Sequence, residues 1–390
     1  MIKKLITLLW VQLAFSCTSF DANYLTFTAE EDNSSFCIED HNIKSNIFYS
    51  LDNGKTWTQL TDQPVSLEKG DRALLKGGEP DPKPSKENYS RFIMQGAIAA
   101  SGSVMSLVDG NGEGKTIPYA YCFCRLFQDC SSLTKAPELP ATTLAEKCYC
   151  AMFSKCSSLT QAPKLPATAL EYGCYIEMFR HCTSLTKAPE LPATTLAKNC
   201  YESMFEDCTN LTQAPELPAT VLEYGCYIEM FRHCTSLTKA PELPATTLVD
   251  CCYAYMFNGC SNLAYIKVAL TNWGNELTTF FWVENVAKNG TFICPEELRL
   301  IYADNFIPYD WDVNCLETQT KRVPAEEGLS VRTSGLTIFI GNANADIEVY
   351  EAGGKLIGKA RAMNGEAQIT VPQSGIYLVK AGAQTRKVVL

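Results

Sequence analysis

At 390 residues, 46% of them apolar, the chain is long enough for two or three domains with substantial cores. Its formal net charge of −10 comes from acidic residues spread along the sequence, which argues against a nucleic-acid partner and offers no field to steer it towards anionic membranes. Nineteen cysteines stand out from an otherwise ordinary globular composition.

The chain starts MIKKLITLLWVQLAFSC. Lys3 and Lys4 precede an apolar run from Leu5 to Phe15, broken only by Thr7 and Gln12. This is the pattern of a secretory signal peptide over residues 1–16, too short to span a bilayer as a mature helix. Two cleavage readings stay open. Ala14 and Ser16 satisfy the small-x-small rule of ordinary signal peptidase, while Ala14-Phe15-Ser16-Cys17 resembles a bacterial lipobox that would make Cys17 a lipidated first residue. No later run is long enough for a transmembrane helix, so lipid at Cys17 is the only membrane attachment expected.

Residues 17–115 read as a β-rich N-terminal domain. YLTFTA alternates, and NIFYSLDNGKTWTQL is two strands joined at Asp52-Asn53-Gly54. Ser50, Asp52, Gly54 and Trp57 fit the Asp-box pattern common in sialidase-like propellers, which hints at a glycan hydrolase. That motif supports a hairpin rather than chemistry, a propeller needs several, and here there is one. The Pro80–Glu87 stretch is a loop, and the Gly-rich end of the domain leads into a repeat that it is expected to cap.

Residues 116–265 hold six copies of a 26-residue unit. One cysteine series runs Cys130, Cys156, Cys182, Cys208, Cys234, Cys260, and a second runs Cys122, Cys148, Cys174, Cys200, Cys226, Cys252. Leu133 and Phe127 found two further columns with the same step, and residues 171–196 and 223–248 are the same string. Tyr175, Met178, Phe179 and Cys182 are spaced i, i+3, i+4, i+7, which predicts one apolar stripe on a helix of about two turns. Leu185, Ala188 and Leu191 then recur every third residue, too sparse for a helix, and Pro189 and Pro192 forbid one, a pattern for an extended segment with a very short strand near Thr186–Ala188. No unit can bury its own apolar face, so the units must stack. The expected fold is therefore an α/β solenoid of leucine-rich-repeat-like coils, spaced roughly 4.8 Å apart and flanked by β domains.

The outward columns are the candidate binding face. Thr134, Thr160, Thr186, Thr212 and Thr238 form a threonine ladder. Beside it run Lys135, Gln161, Lys187, Gln213 and Lys239, in which Gln separates like charges. Glu138, Lys164, Glu190, Glu216 and Glu242 make a mostly acidic third column. Such a face either receives a partner or merely keeps the repeats soluble.

The unit resembles the BspA-type leucine-rich repeat of bacterial surface proteins, in MFSKCSSL, MFRHCTSL, MFEDCTNL and MFNGCSNL with LPATTL or close variants after them. The resemblance covers about residues 120–265. It implies an exported protein of a Gram-negative anaerobe, secreted or held at the outer membrane or cell surface, that adheres to a host or neighbouring-cell protein or glycan. It brings no catalytic residues. The paired prolines depart from the common form of that repeat.

The cysteines read as packing. Cys174 and Cys182 sit about 12 Å apart on the expected helix, beyond disulfide reach, and equivalent cysteines in neighbouring coils point the same way. Buried thiol ladders are therefore expected, with a bridge left open among Cys37, Cys124, Cys150, Cys251, Cys294 and Cys315. His181 and His233 are duplication copies two coils, roughly 10 Å, apart and cannot share an ion. No metal, cofactor or catalytic constellation is expected, and the chain reads as a binding protein rather than an enzyme, with a structural envelope role as the alternative.

Beyond Cys260, residues 266–316 keep Trp273, Phe280, Phe281, Trp282, Tyr309 and Trp311 and read as the C-terminal cap of the repeats. A polar linker, 317–327, leads to residues 328–390, whose short strands predict a small β-sandwich. Its VYEAGGKLIGKA hairpin and GIYLVK strand resemble the C-terminal sorting domains of type IX secretion cargo. Such cargo ordinarily carries a plain cleaved signal, which sits awkwardly with lipid at Cys17.

Overall fold

A computed structural model describes residues 24–316, 329–334, 336–341, 343, 346–362, 366–382 and 384–390. The signal segment with Cys17 and the 317–327 linker lie outside the described residues. The chain forms two compact units, residues 1–317 and 318–390, taken here in turn.

The first unit opens with strands β1 (Leu25–Ala29), β2 (Ser34–His41), β3 (Ile47–Ser50), β4 (Thr58–Gln59), β5 (Val65–Leu67), β6 (Arg72–Gly77), β7 (Tyr89–Gln95) and β8 (Ile98–Ser101). One sheet runs β4-β3-β6-β1-β8 and then takes up β9 (Leu133–Lys135) of the first repeat, while β5-β2-β7 form a second. Alternating apolar residues place Phe27 of the first sheet against Phe36 and Phe92 of the second, with ring centroids 5.1 and 5.0 Å apart. The parallel pairing of β8 with β9 stitches this domain to the repeats, and Phe92 also stacks on Phe127 of the first repeat at 5.1 Å.

The expected α/β solenoid does not form. Strand structure lies in several separate small sheets, and the longest helix among the described residues is the four-residue α1 (Ser106–Asp109). The segments expected as two-turn helices are ribbons of successive tight turns. Their apolar spacing arises because every fourth residue turns left-handed: Lys147, Ala151 and Lys155 have φ of 50, 51 and 63°, and Gly173, Glu177 and His181 have 58, 53 and 57°. A helix cannot absorb such residues, since each reverses the local twist. Alternate amides then take different partners. In the third repeat the N–H groups of Cys174, Ile176, Met178, Arg180 and Cys182 close turns on the residue three back. Those of Gly173, Tyr175, Glu177, Phe179 and His181 instead reach carbonyls of the fourth repeat, at 2.8–3.1 Å. This ladder satisfies the backbone between layers as a sheet does, while each layer turns as a helix does.

Aromatic rings repeat in register from layer to layer. Phe127, Phe153, Phe179, Phe205, Phe231 and Phe257 stack with centroids 5.4–5.8 Å apart. Tyr149, Tyr175, Tyr201, Tyr227 and Tyr253 do the same at 5.7–6.0 Å. Trp282 ends both columns, 6.1 Å from Tyr253 and from Phe257. There β10 (Tyr265–Lys267), β11 (Thr291–Pro295) and β12 (Asp312–Leu316) form a parallel three-stranded sheet over the last layer. The expected strand near Thr186–Ala188 is reduced to a single bridge, Lys187 with Gln213, because the prolines remove the donors that would extend it.

In the second unit β13 (Ser330–Ser334), β14 (Thr337–Gly341) and β17 (Ala367–Thr370) form one antiparallel sheet. The other has the order β16-β15-β18-β19, from β15 (Ile347–Glu351), β16 (Leu356–Ala360), β18 (Ile376–Ala381) and β19 (Gln384–Val389). Ile338 and Ile340 of one sheet share a core with Val349 and Val379 of the other. The β15–β16 turn uses Gly354 at φ +83°, where its N–H bonds the Glu351 carbonyl.

Candidate binding face

The apolar turn ribbon fixes one flank of each repeat, and the extended segment after it carries the candidate residues. Leu185, Ala188 and Leu191 are buried, while Thr186, Lys187 and Glu190 between them are turned outward. Thr160, Thr186, Thr212 and Thr238 are exposed and Thr134 is half-buried, its hydroxyl bonding Glu30 at 2.7 Å. Lys135, Gln161, Lys187, Gln213 and Lys239 are all exposed, as are Glu138, Lys164, Glu190, Glu216 and Glu242. The three columns thus lie side by side on one face. Few of these groups are tied to one another: Thr212 donates to the Thr186 carbonyl at 3.1 Å, Lys239 lies over Tyr265 at 4.9 Å, and Glu242 pairs with Lys267 at 3.0 Å. Between the fourth and fifth repeats the face opens into a cleft of about 770 Å³, walled by Thr212–Pro218 on one side and Lys239–Pro244 on the other.

No protein-family model, curated protein or solved structure matches the chain. Its function is therefore argued from this geometry.

Behind the face the column cysteines are free and packed. Cys156, Cys182, Cys208, Cys234 and Cys260 each aim the thiol at a phenylalanine carbonyl of the preceding repeat, at 2.9–3.1 Å. Burial pushes the Cys182 and Cys260 thiols up to about 12, so they stay protonated and inert. Among the described residues the cysteines off the columns are free thiols too, although Cys294 and Cys315 are partners on adjacent parallel strands. The Asp-box residues build a hairpin. Ser50 donates to Asp52 at 2.7 Å, the Thr56 N–H bonds the same carboxylate at 2.9 Å, and the Trp57 indole bonds the Gly54 carbonyl at 3.1 Å. The Thr56 backbone bond leads the donors that hold the Asp52 carboxyl well below the usual carboxylate range.

One charged cluster escaped the sequence reading. Asp207 stands between the duplicated histidines, 3.6 Å from His181 Nε2 and 3.2 Å from His233 Nδ1. Beside it Glu206, its side chain 6% exposed, lies between Arg180 at 2.8 Å and Arg232 at 3.5 Å. The signal was present: the fourth repeat puts Glu-Asp where its neighbours put Arg-His, so charges alternate up the stack. Glu206, Asp207 and His233 bring donor atoms within 4.8 Å, the spacing of a metal site. Two arginines on Glu206 already supply the balancing charge, and the cluster reads as an interlayer ion-pair network. Among the described residues, no helix is long and apolar enough to cross a membrane.

Proposed function

We propose that the chain is an exported, non-enzymatic binding protein whose Thr/Lys/Glu face engages a protein or glycan of a host or neighbouring cell. The observation that carries this reading is the face itself: three columns of exposed side chains, repeated in register and mostly without partners in the chain. Burial of every column thiol but Cys122 removes those groups from consideration as nucleophiles, and the Asp-box carboxylate is committed to its hairpin. The motif resemblance to BspA-type surface proteins supports a location at the outer membrane or cell surface of a Gram-negative bacterium, or secretion from it. The leader supports export, with Cys17 as a lipid anchor in one cleavage reading, and the C-terminal unit supports sorting by a type IX system in the other.

Protease shaving of intact cells, followed by blotting for the chain, tests the location on which adhesion depends. Loss of the protein from intact cells is the expected result. A chain protected until the outer membrane is opened contradicts an adhesive role and favours an internal envelope component.

A further inference from the structure

Cys156 and the cysteines stacked on it each aim the thiol at a backbone carbonyl, whereas two pairs off the columns aim at one another: Cys124 meets Cys150, and Cys294 meets Cys315. Cys294 and Cys315 are also in register on β11 and β12, adjacent parallel strands. Such neighbours lie about 4.8 Å apart, inside the span of about 4.4–6.8 Å between the Cα atoms of a disulfide. Side chains on parallel strands leave at a similar slant, but strand twist tips one towards the other, and here the two sulfurs already meet. The pair is asymmetric. Cys294 is fully buried and Cys315 is exposed, because β12 is the edge of its sheet and pairs on one side only among the described residues. Burial pushes the Cys294 thiol up, and Cys315 beside it adds to the shift, so Cys294 waits in its protonated form. An exposed sulfur that reacts first, with a second thiol beside it to displace the outgoing group, is what thiol–disulfide exchange requires.

We propose that Cys294 and Cys315 exchange with external disulfides to form a bridge that pins the edge strand β12 to β11. The Cys315 thiolate attacks one sulfur of an external disulfide RSSR, whose S–S bond breaks, and one RSH leaves with the Cys315 proton. Cys294 then attacks the Cys315 sulfur of the mixed disulfide, and a second RSH carries off the Cys294 proton. Two thiols of the chain are oxidised and one external disulfide is reduced. The consequence is local. Peeling β12 away uncovers the buried Cys294 and loosens Trp311, 4% exposed, which immediately precedes the strand. Closing residues 294–315 into a loop removes most of the states in which β12 has peeled. In the cell the oxidant is found outside the cytosol, so there the bridge rests on the reading of the chain as exported. The chemistry of the pair does not, and it is tested with the oxidant supplied.

The reduced full chain is incubated with oxidised glutathione at about pH 8, quenched in acid, alkylated in denaturant and read by peptide mass spectrometry. The expected product is a linked pair of peptides holding Cys294 and Cys315, two hydrogens lighter than the separate peptides and abolished by reduction. Cys124 and Cys150, neither of them exposed, are the comparison and are expected to lag at least about tenfold. Cys315→Ser is expected to give no linked pair, and Cys294→Ala to hold glutathione on Cys315. Hydrogen exchange of the β12 amides is expected to slow at least about tenfold in the oxidised native chain. Should Cys294→Ala fail to fold, the native chain and Cys315→Ser decide. Recovery of both cysteines alkylated, glutathione persisting on Cys315 of the native chain, oxidation of Cys124 and Cys150 at the same rate, or unchanged exchange in β12 overturns the proposal. A bridge that forms in a chain found protected from shaving leaves this pair standing and removes the surface location alone.

Discussion

Replacing Lys155 with glycine separates a turn ribbon from a helix by the sign of the effect. Lys155 lies at φ 63°, in the left-handed region that costs a non-glycine residue roughly 1–2 kcal/mol. Glycine removes that cost but brings back about 0.5–1 kcal/mol of chain freedom in the unfolded state. The lysine's one ion pair, 3.5 Å from Asp129, joins side chains 57% and 39% exposed and contributes little. The balance is a gain of about 0.5 kcal/mol for Lys155→Gly, whereas glycine in a helix interior loses about 1 kcal/mol. Gln128→Gly, in the same kind of ribbon but not at a left-handed position, is the control and is expected to lose about 1 kcal/mol. Urea midpoints at constant m-value measure both. A loss at Lys155 equal to that at Gln128 refutes the reasoning.

Three further outcomes follow from the packing. The Tyr149 hydroxyl is buried without a partner, so Tyr149→Phe is expected to raise stability by about 1 kcal/mol in the same urea assay. Glu206→Ala removes the buried carboxylate that Arg180 and Arg232 share, but both arginines are partly exposed and keep Glu177 and Glu229 as partners, so a loss of about 1 kcal/mol is expected, measured by thermal and urea unfolding. The buried thiols make alkaline pH destabilising. Cys182 is pushed up to about 12, so between pH 9 and that value the unfolded chain releases its proton and the folded chain keeps it. Stability is then present below pH 9 and falls above it by about 1.4 kcal/mol per pH unit for each such thiol, while alkylation at pH 8 reaches the buried column cysteines only on unfolding.

Much of this molecule is legible in its sequence. The 26-residue period fixes which residues stack, so the phenylalanine, tyrosine and cysteine columns and the three outward columns follow from counting. A stripe at i, i+3, i+4, i+7 predicts a helix but is also produced by turns of four residues, and periodicity alone does not separate them. The distinguishing signal lies in the residues at the left-handed positions. Of three such columns, one includes Gly173, Asn199 and Gly225 and another includes Asp129, His181, Asp207, His233 and Gly259, types that tolerate positive φ, while the middle one, with Ala151 and Glu177, carries no such signal. The cleft was not legible. Its walls, TQAPELP and TKAPELP, have nearly the same sequence as neighbouring segments. The His181–Asp207–His233 column does not follow from the two histidines alone, because the residue that joins them, Asp207, belongs to the repeat that duplication left between them.

The face is tested most directly by screening the full chain against host matrix proteins and glycans, alongside the variant carrying both Lys187→Glu and Glu190→Lys. Binding by the face predicts that the native chain retains a ligand and that the variant, unfolding at the same temperature, loses affinity at least about tenfold. Retention of nothing, or equal retention by both chains, contradicts it.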